Sequence, residues 1–128
     1  MLLGELEKTV LQYLWEVPNV DAKHIHSELS KKRGGSLNTI QSTLDRLHKK
    51  GLLERNKKGH AFFYQAKVDR DTLIGQLIQD VAGDFIHETE NSLIAAFSSV
   101  SSKLNEAQLD ELEEMIKQQK TALRQETI

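Results

Sequence analysis

The strongest constraint on this 128-residue chain is a change of period between Ser36 and Ala66. From Ser36 to Gly51, SLNTIQSTLDRLHKKG, the apolar residues Leu37, Ile40, Leu44 and Leu47 recur at helical spacing. Ser36 is a good N-cap and Gly51 a suitable left-handed terminator. In the next fifteen residues, LLERNKKGHAFFYQA, two short β-prone runs flank the turn-forming NKKGH. Gly59 can take positive φ there, so the expectation is a β-hairpin with Lys57 and Lys58 at its tip.

Two helices are expected before this unit. Gly4 to Val17 places Leu6, Val10, Tyr13, Leu14 and Val17 on one side, and Pro18 with Asn19 stops it. Asp21 can then cap a second helix with the narrow stripe Ala22, Ile25 and Leu29. That helix ends at Gly34 and Gly35 after the basic run Lys31, Lys32 and Arg33, whose charge complements the helix dipole. Three helices followed by a hairpin is the order of a winged helix-turn-helix, whose third helix enters the major groove of DNA. The fold class expected is therefore mainly α with a small β-hairpin.

Beyond the junction VDRDT near residues 68 to 72 the pattern is helical again. Leu73, Ile74, Leu77, Ile78, Val81 and Phe85 make a broad apolar face, interrupted by Gly75 and Gly83. A further piece is expected from about Glu88 to Val100. A last helix carries Leu109, Leu112, Ile116 and Leu123 near heptad spacing, opened by an Asn105/Gln108 capping box. So much apolar surface on a short tail points to burial against something else. The expected division is residues 1–71 as a winged DNA-binding domain and 72–128 as a C-terminal helical dimerisation region.

Charge follows the same division. Residues 1–70 hold 13 Lys and Arg against 8 Asp and Glu, whereas residues 71–128 hold 4 against 11, and the two halves nearly cancel to a net −2. A polyanion is attracted to the first half and repelled by the second. On a helical wheel the polar side of the third helix is continuous. Ser42 lies nearly opposite the apolar stripe, Asn38, Asp45 and Lys49 beside it, and Thr39, Gln41 and Arg46 toward the edges.

Short hydrogen-bonding side chains cost helix propensity but match base edges: Asn and Gln suit adenine, Ser and Thr take either role. Asn38, Thr39, Gln41 and Ser42 are therefore candidate base readers. Arg46, Lys49, Lys50, Lys57 and Lys58 are candidate phosphate contacts. Asp45 fits poorly beside phosphates unless Lys49, four residues on, neutralises it.

Composition removes other classes. With no cysteine there is no disulfide framework, thiolate metal site or cysteine nucleophile. The five histidines do not form a metal pattern, since His24 and His26 point apart on a helix. There is no nucleophile elbow, phosphate loop or zinc-protease motif, so neither an enzyme nor a cofactor is expected. Trp15 and the run Phe62, Phe63, Tyr64 read better as wing packing than as single-strand stacking platforms. No apolar run is long enough to span a membrane and the N-terminus does not look like a signal peptide, so cytoplasmic residence is the default. A winged-helix protein-interaction module is the alternative to a DNA-binding role.

The successions LGELEKTVLQYLWE, HSELSKKRGGSLNTIQSTLDRLHKKGLLER and GHAFFYQA resemble the penicillinase and methicillin-resistance repressor family, of the BlaI/MecI/CopY type. The likeness runs over essentially the whole chain. It is most specific in the LW of helix one, the Ser36–Gly51 run and the F-x-Y of the wing. It implies a homodimeric transcriptional repressor on a palindromic double-stranded DNA operator, with base-facing contacts at Asn38, Thr39, Gln41, Ser42 and Arg46, and Lys57 and Lys58 on the wing.

In β-lactam-responsive members of this family, a membrane-bound sensor protease triggers cleavage in the dimer region, commonly at an Asn-Phe bond. The resemblance aligns Ala96 and Phe97 with that bond. Phe97 matches the pattern and Ala96 departs from it, and a place in the dimer core is the other reading of Phe97. The copper-responsive branch uses a cysteine-rich C-terminal motif, which this chain lacks.

Overall fold

The computed structural model describes residues 2–85 and 90–126. The elements are α1 (Glu5–Glu16), β1 (Val20–Asp21), α2 (Ala22–Arg33), α3 (Leu37–Lys49), β2 (Leu53–Lys58), β3 (Ala61–Ala66), α4 (Arg70–Phe85), α5 (Glu90–Ser101) and α6 (Glu106–Glu126). The winged helix-turn-helix expected from the sequence is present. By contacts the chain divides into two compact units, residues 1–81 and 82–128.

In the first unit, each helix starts where its cap is. The Asp21 carboxylate accepts the His24 N–H at 2.8 Å, and the Ser36 hydroxyl accepts the Thr39 N–H at 3.1 Å. α3 ends as Gly51 turns to φ 79°. The core gathers Val10, Leu11 and Leu14 of α1, Ile25 of α2 and Ile40, Leu44 and Leu47 of α3 against Val20, Leu52, Leu53, Tyr64 and Leu73. Full burial of one such side chain contributes roughly 1.5–3 kcal/mol. That is ample to hold α3 with its opposite face outward. Leu37, at the edge of the stripe, is only half-buried.

The wing differs from the expected hairpin in two ways. First, Asn56, Lys57 and Lys58 belong to β2 rather than to a loop, since Lys58 pairs with Ala61 and leaves Gly59 and His60 as a two-residue turn. Gly59 stands at φ 65° in the first turn position, where such a tight hairpin needs positive φ. Second, the sheet has three strands in the order β1-β3-β2, all antiparallel. The additional pair aligns Val20 with Tyr64 and Asp21 with Phe63, and the Asn19 N–H donates to the Tyr64 carbonyl at 3.0 Å. Asn19 at φ 59° sets that approach, a backbone region that Asn tolerates better than most residues. Two residues are too short for any alternation, so β1 leaves no periodic signal.

One ion pair ties the ends of α1 and α3. Lys50 donates to Glu7 at 2.6 Å and to the Leu2 carbonyl at 2.8 Å, and the second Glu7 oxygen accepts the Gly4 N–H at 3.1 Å. Glu7 is buried. Burial pushes its carboxyl up, but the Lys50 and Gly4 hydrogen bonds and the charges of Lys50 and Arg46 outweigh this, and the net pKa lies below the ordinary carboxylate value.

Trp15 donates its indole N–H to the Val68 carbonyl at 2.9 Å, with the Arg70 guanidinium 5.2 Å from its ring. The aromatic residues of the wing do not follow strand alternation: Phe62 and Tyr64 share one side of β3, yet Tyr64 is buried and Phe62 is 37% exposed, while Phe63 on the other side is half-buried. α4 is capped by Asp69, which accepts the Thr72 N–H at 2.7 Å; that bond lowers the Asp69 pKa. Its apolar face is used only in part. Leu73 is in the core and Leu77 packs on it, while Ile74, Ile78 and Val81 are exposed.

The second unit contains α5 and α6. The expected capping box is present at the start of α6, with Asn105 and Gln108 exchanging backbone-to-side-chain bonds of 3.0 and 2.9 Å. Leu104 and Leu112 are half-buried, and Ile94, Phe97, Val100, Leu109, Met115, Ile116 and Leu123 are exposed. Glu88, the expected start of the middle helical piece, and His87 lie outside the described residues, as does the side chain of Phe85. Among the described residues, no helix is long and apolar enough to cross a membrane.

Candidate nucleic-acid interface

Burial of Ile40, Thr43, Leu44 and Leu47 fixes the rotation of α3. It leaves Asn38, Thr39, Ser42, Arg46 and Lys49 exposed along the opposite side, from the first turn to the last. Five of the candidate contacts thus share one face.

Thr43 is fully buried and was not singled out in the sequence. Its hydroxyl donates to the Thr39 carbonyl at 2.8 Å and accepts from Arg46 Nη2 at 3.1 Å, so it anchors the guanidinium at the edge of the polar face. The Thr39 hydroxyl meets the Ser36 hydroxyl at 2.9 Å.

Two other candidates have partners inside the protein. Gln41 is half-buried and donates from Nε2 to the Tyr64 hydroxyl at 3.1 Å and to Asp45 Oδ1 at 3.3 Å. Lys50 is the C-cap of α3, and its ammonium is engaged by Glu7 and the Leu2 carbonyl, so its charge serves the fold. The neutralising partner of Asp45 is Arg55 of β2, at 3.5 Å, instead of the expected Lys49.

Arg55 is a second residue that reading the sequence missed. Its guanidinium lies 4.4 Å from the centre of the Phe62 ring while one nitrogen reaches Asp45, so it joins wing to recognition helix. Its signal is the register: a two-residue turn at Gly59–His60 places Arg55 opposite Tyr64.

Lys57 and Lys58 are exposed on adjacent positions of β2, on opposite sides of the strand, with Lys58 Nζ 5.6 Å from the Phe63 ring. At the end of α2, Lys31 pairs with Glu28 at 3.2 Å and Arg33 reaches the Thr9 hydroxyl at 3.5 Å. His24 and His26 have separate partners. His24 Nε2 meets the Tyr13 hydroxyl at 2.6 Å and His26 Nε2 the Gly35 carbonyl at 3.0 Å. Among the described residues no cluster of metal-ligating side chains exists.

The arrangement presents a row of short polar groups flanked by cations, with a basic wing alongside. The model of the penicillinase repressor family matches residues 3–118. The chain belongs to that family. Within it, the penicillinase repressor of Bacillus licheniformis is 28% identical over 118 residues, spanning 92% of this chain and 91% of the relative. The transcriptional regulator BlaI of Mycobacterium tuberculosis is 32% identical over 79 residues, 61% of this chain and 57% of that protein. The solution structure of the DNA-binding domain of the repressor BlaI is 34% identical with a TM-score of 0.50, covering 53% of this chain and 83% of the domain. The family membership and this winged fold agree with the expectation drawn from the LW, Ser36–Gly51 and F-x-Y motifs.

Proposed function

We infer that this chain is a transcriptional repressor that binds a two-fold-symmetric DNA operator as a homodimer. The observation that carries the reading is the exposed row Asn38, Thr39, Ser42, Arg46 and Lys49 on a helix locked by its buried face, in a member of the penicillinase repressor family. Asn38, Thr39 and Ser42 are assigned to base edges; Arg46, Lys49, Lys57 and Lys58 hold phosphates. Gln41, assigned to a base edge from the sequence, has its amide engaged by Tyr64 and Asp45. Lys50, assigned to phosphate from the sequence, acts through the position of α3.

The dimer is supported by the exposed apolar residues of α4, α5 and α6, which cost solubility unless another surface covers them. In α6 the spacing of Leu109, Leu112 and Ile116 suits a partner helix. Residues 72–128 are accordingly the proposed dimerisation region.

The test is a titration with the chain's own upstream DNA against random duplex at physiological salt. A preference with a footprint over two half-sites is expected. Equal affinity for both duplexes would remove the repressor reading, and affinity for a protein partner without steep salt-dependent DNA binding would favour an interaction module. Lys57→Ala and Lys58→Ala should weaken binding to all duplexes alike. Each should reduce the slope of log affinity against log salt by about 0.9 per lost phosphate contact. Ser42→Ala and Asn38→Ala should instead change which sequences are preferred.

For release, we assign cleavage near Ala96–Phe97 by a membrane-bound sensor protease. Both residues lie in α5, where Phe97 is 46% exposed. A protease takes an extended backbone, so this turn must first open. Ser98 donates to the Ile94 carbonyl at 3.1 Å and Ser101 to the Ser98 carbonyl at 2.9 Å, contacts that weaken a helix slightly. Fragment masses after incubation with membranes carrying such a protease test the site. A cut elsewhere, or none, sinks it.

A further inference from the structure

We propose that Asp45 is a base-reading residue, whose outer carboxylate oxygen accepts a hydrogen bond from the exocyclic amino group of a cytosine or an adenine in the major groove. This rests on the DNA-binding reading above and deepens it.

Asp45 lies beside Ser42 on the polar face of α3, one turn before Lys49, and its side chain is 49% exposed. A carboxylate there would ordinarily repel the phosphates that the neighbouring cations attract. The structure removes that objection on one side of the group only. Arg55 reaches Oδ1 at 3.5 Å and the Gln41 amide donates to the same oxygen at 3.3 Å. Neither contact is to Oδ2. Arg55 is itself held at the Phe62 ring, and Gln41 at the Tyr64 hydroxyl, so the carboxylate is braced from the wing and from the core.

An ionised carboxylate only accepts hydrogen bonds. Among major-groove edges, cytosine N4 and adenine N6 donate, whereas guanine N7 and O6 and thymine O4 are acceptors that would repel it. A carboxylate at this position therefore selects by rejection as well as by attraction. Cytosine, the usual partner of an acidic side chain, is the first expectation. Gln41 has both amide hydrogens engaged within the protein, so it acts on Asp45 as a positioning residue.

The experiment is selection from a pool of random DNA duplexes with the full-length chain, its Asp45→Asn and its Asp45→Ala variants, followed by affinity measurement on the selected sites. Wild type should enrich cytosine or adenine at one position of each half-site, and the enriched base decides between them. Replacing that base by guanine or thymine should cost wild type roughly five- to tenfold in affinity, near the low end for one base pair. Asp45→Ala should lose the preference at that position alone. Asp45→Asn, which can also donate, should broaden or change it. Circular dichroism confirms that both variants are folded.

If both variants keep the wild-type motif at every position, or bind all duplexes more tightly by one common factor, Asp45 is only a repelling charge and the proposal fails. Enrichment of guanine or thymine there by wild type overturns it too. Absence of any enriched motif with wild type defeats the repressor reading itself, and this inference with it.

Discussion

Placing Glu at both Leu109 and Ile116 should lower operator affinity roughly a hundred- to ten-thousand-fold, the range lost when two linked binding modules become independent. These side chains are 44% and 48% exposed on α6 and share a stripe with Leu112. No residue of α6 is buried, and the core of the winged unit contains none of them. With only a few phosphate and base contacts, a single winged domain is expected to bind weakly and in a salt-sensitive way. Joining two on adjacent half-sites multiplies affinity through effective concentration. Sedimentation should show a dimer becoming a monomer, and footprinting should show loss of occupancy at both half-sites together. Unchanged affinity in a demonstrably monomeric variant would remove the dimer from the mechanism.

Lys50→Met should destabilise the winged unit by about 2 kcal/mol. Truncating one partner of a fully buried pair costs about 3–5 kcal/mol, and the figure is discounted here because the Lys50 side chain keeps 31% exposure. The cost arises because Glu7 stays behind in a buried site with the Gly4 N–H hydrogen bond and the more distant charge of Arg46 to stabilise it. Adding Glu7→Met to the first substitution should restore most of the loss, since removing both partners leaves no orphaned charge. Urea unfolding of the two single variants and the double variant measures this as a cycle. Additive losses would mean that the 2.6 Å contact contributes nothing of its own.

The same pair makes stability depend on pH. The Glu7 carboxyl is lowered in the folded chain, so its contribution is fully present above the unfolded carboxyl pKa of about 4.3. It is lost as pH falls through the folded value. Wild type should therefore lose more stability than Glu7→Gln as pH falls from about 5 through that range.

Much of the fold was legible from period and caps. The stripe Ile40, Leu44 and Leu47, the caps Asp21, Ser36 and the Asn105/Gln108 pair, and the glycine turn of the wing each arise from neighbours within a few residues of one another. Their physics is local, and a local pattern carries it. The family likeness was legible for the same reason, since its motifs lie on those elements. β1 was not legible, because a two-residue strand has no period and exists only where Tyr64 presents its backbone. The extent of β2 was misplaced because Asn56, Lys57 and Lys58 have turn-like composition, yet Gly59 and His60 alone suffice to reverse the chain.

In the candidate interface, the wheel of α3 determined which residues face outward together: Asn38, Ser42, Asp45 and Lys49. Only the tertiary structure decided how each is engaged. It assigned Lys50 to Glu7, anchored Arg46 on buried Thr43, turned the Gln41 amide toward Tyr64 and paired Asp45 with Arg55. These partners lie as far as 43 residues apart in the chain, and no helical or strand period spans such a distance. A side chain's face is set by the backbone period, but its hydrogen-bond partner is set by which distant segment the hydrophobic core brings within about 3 Å.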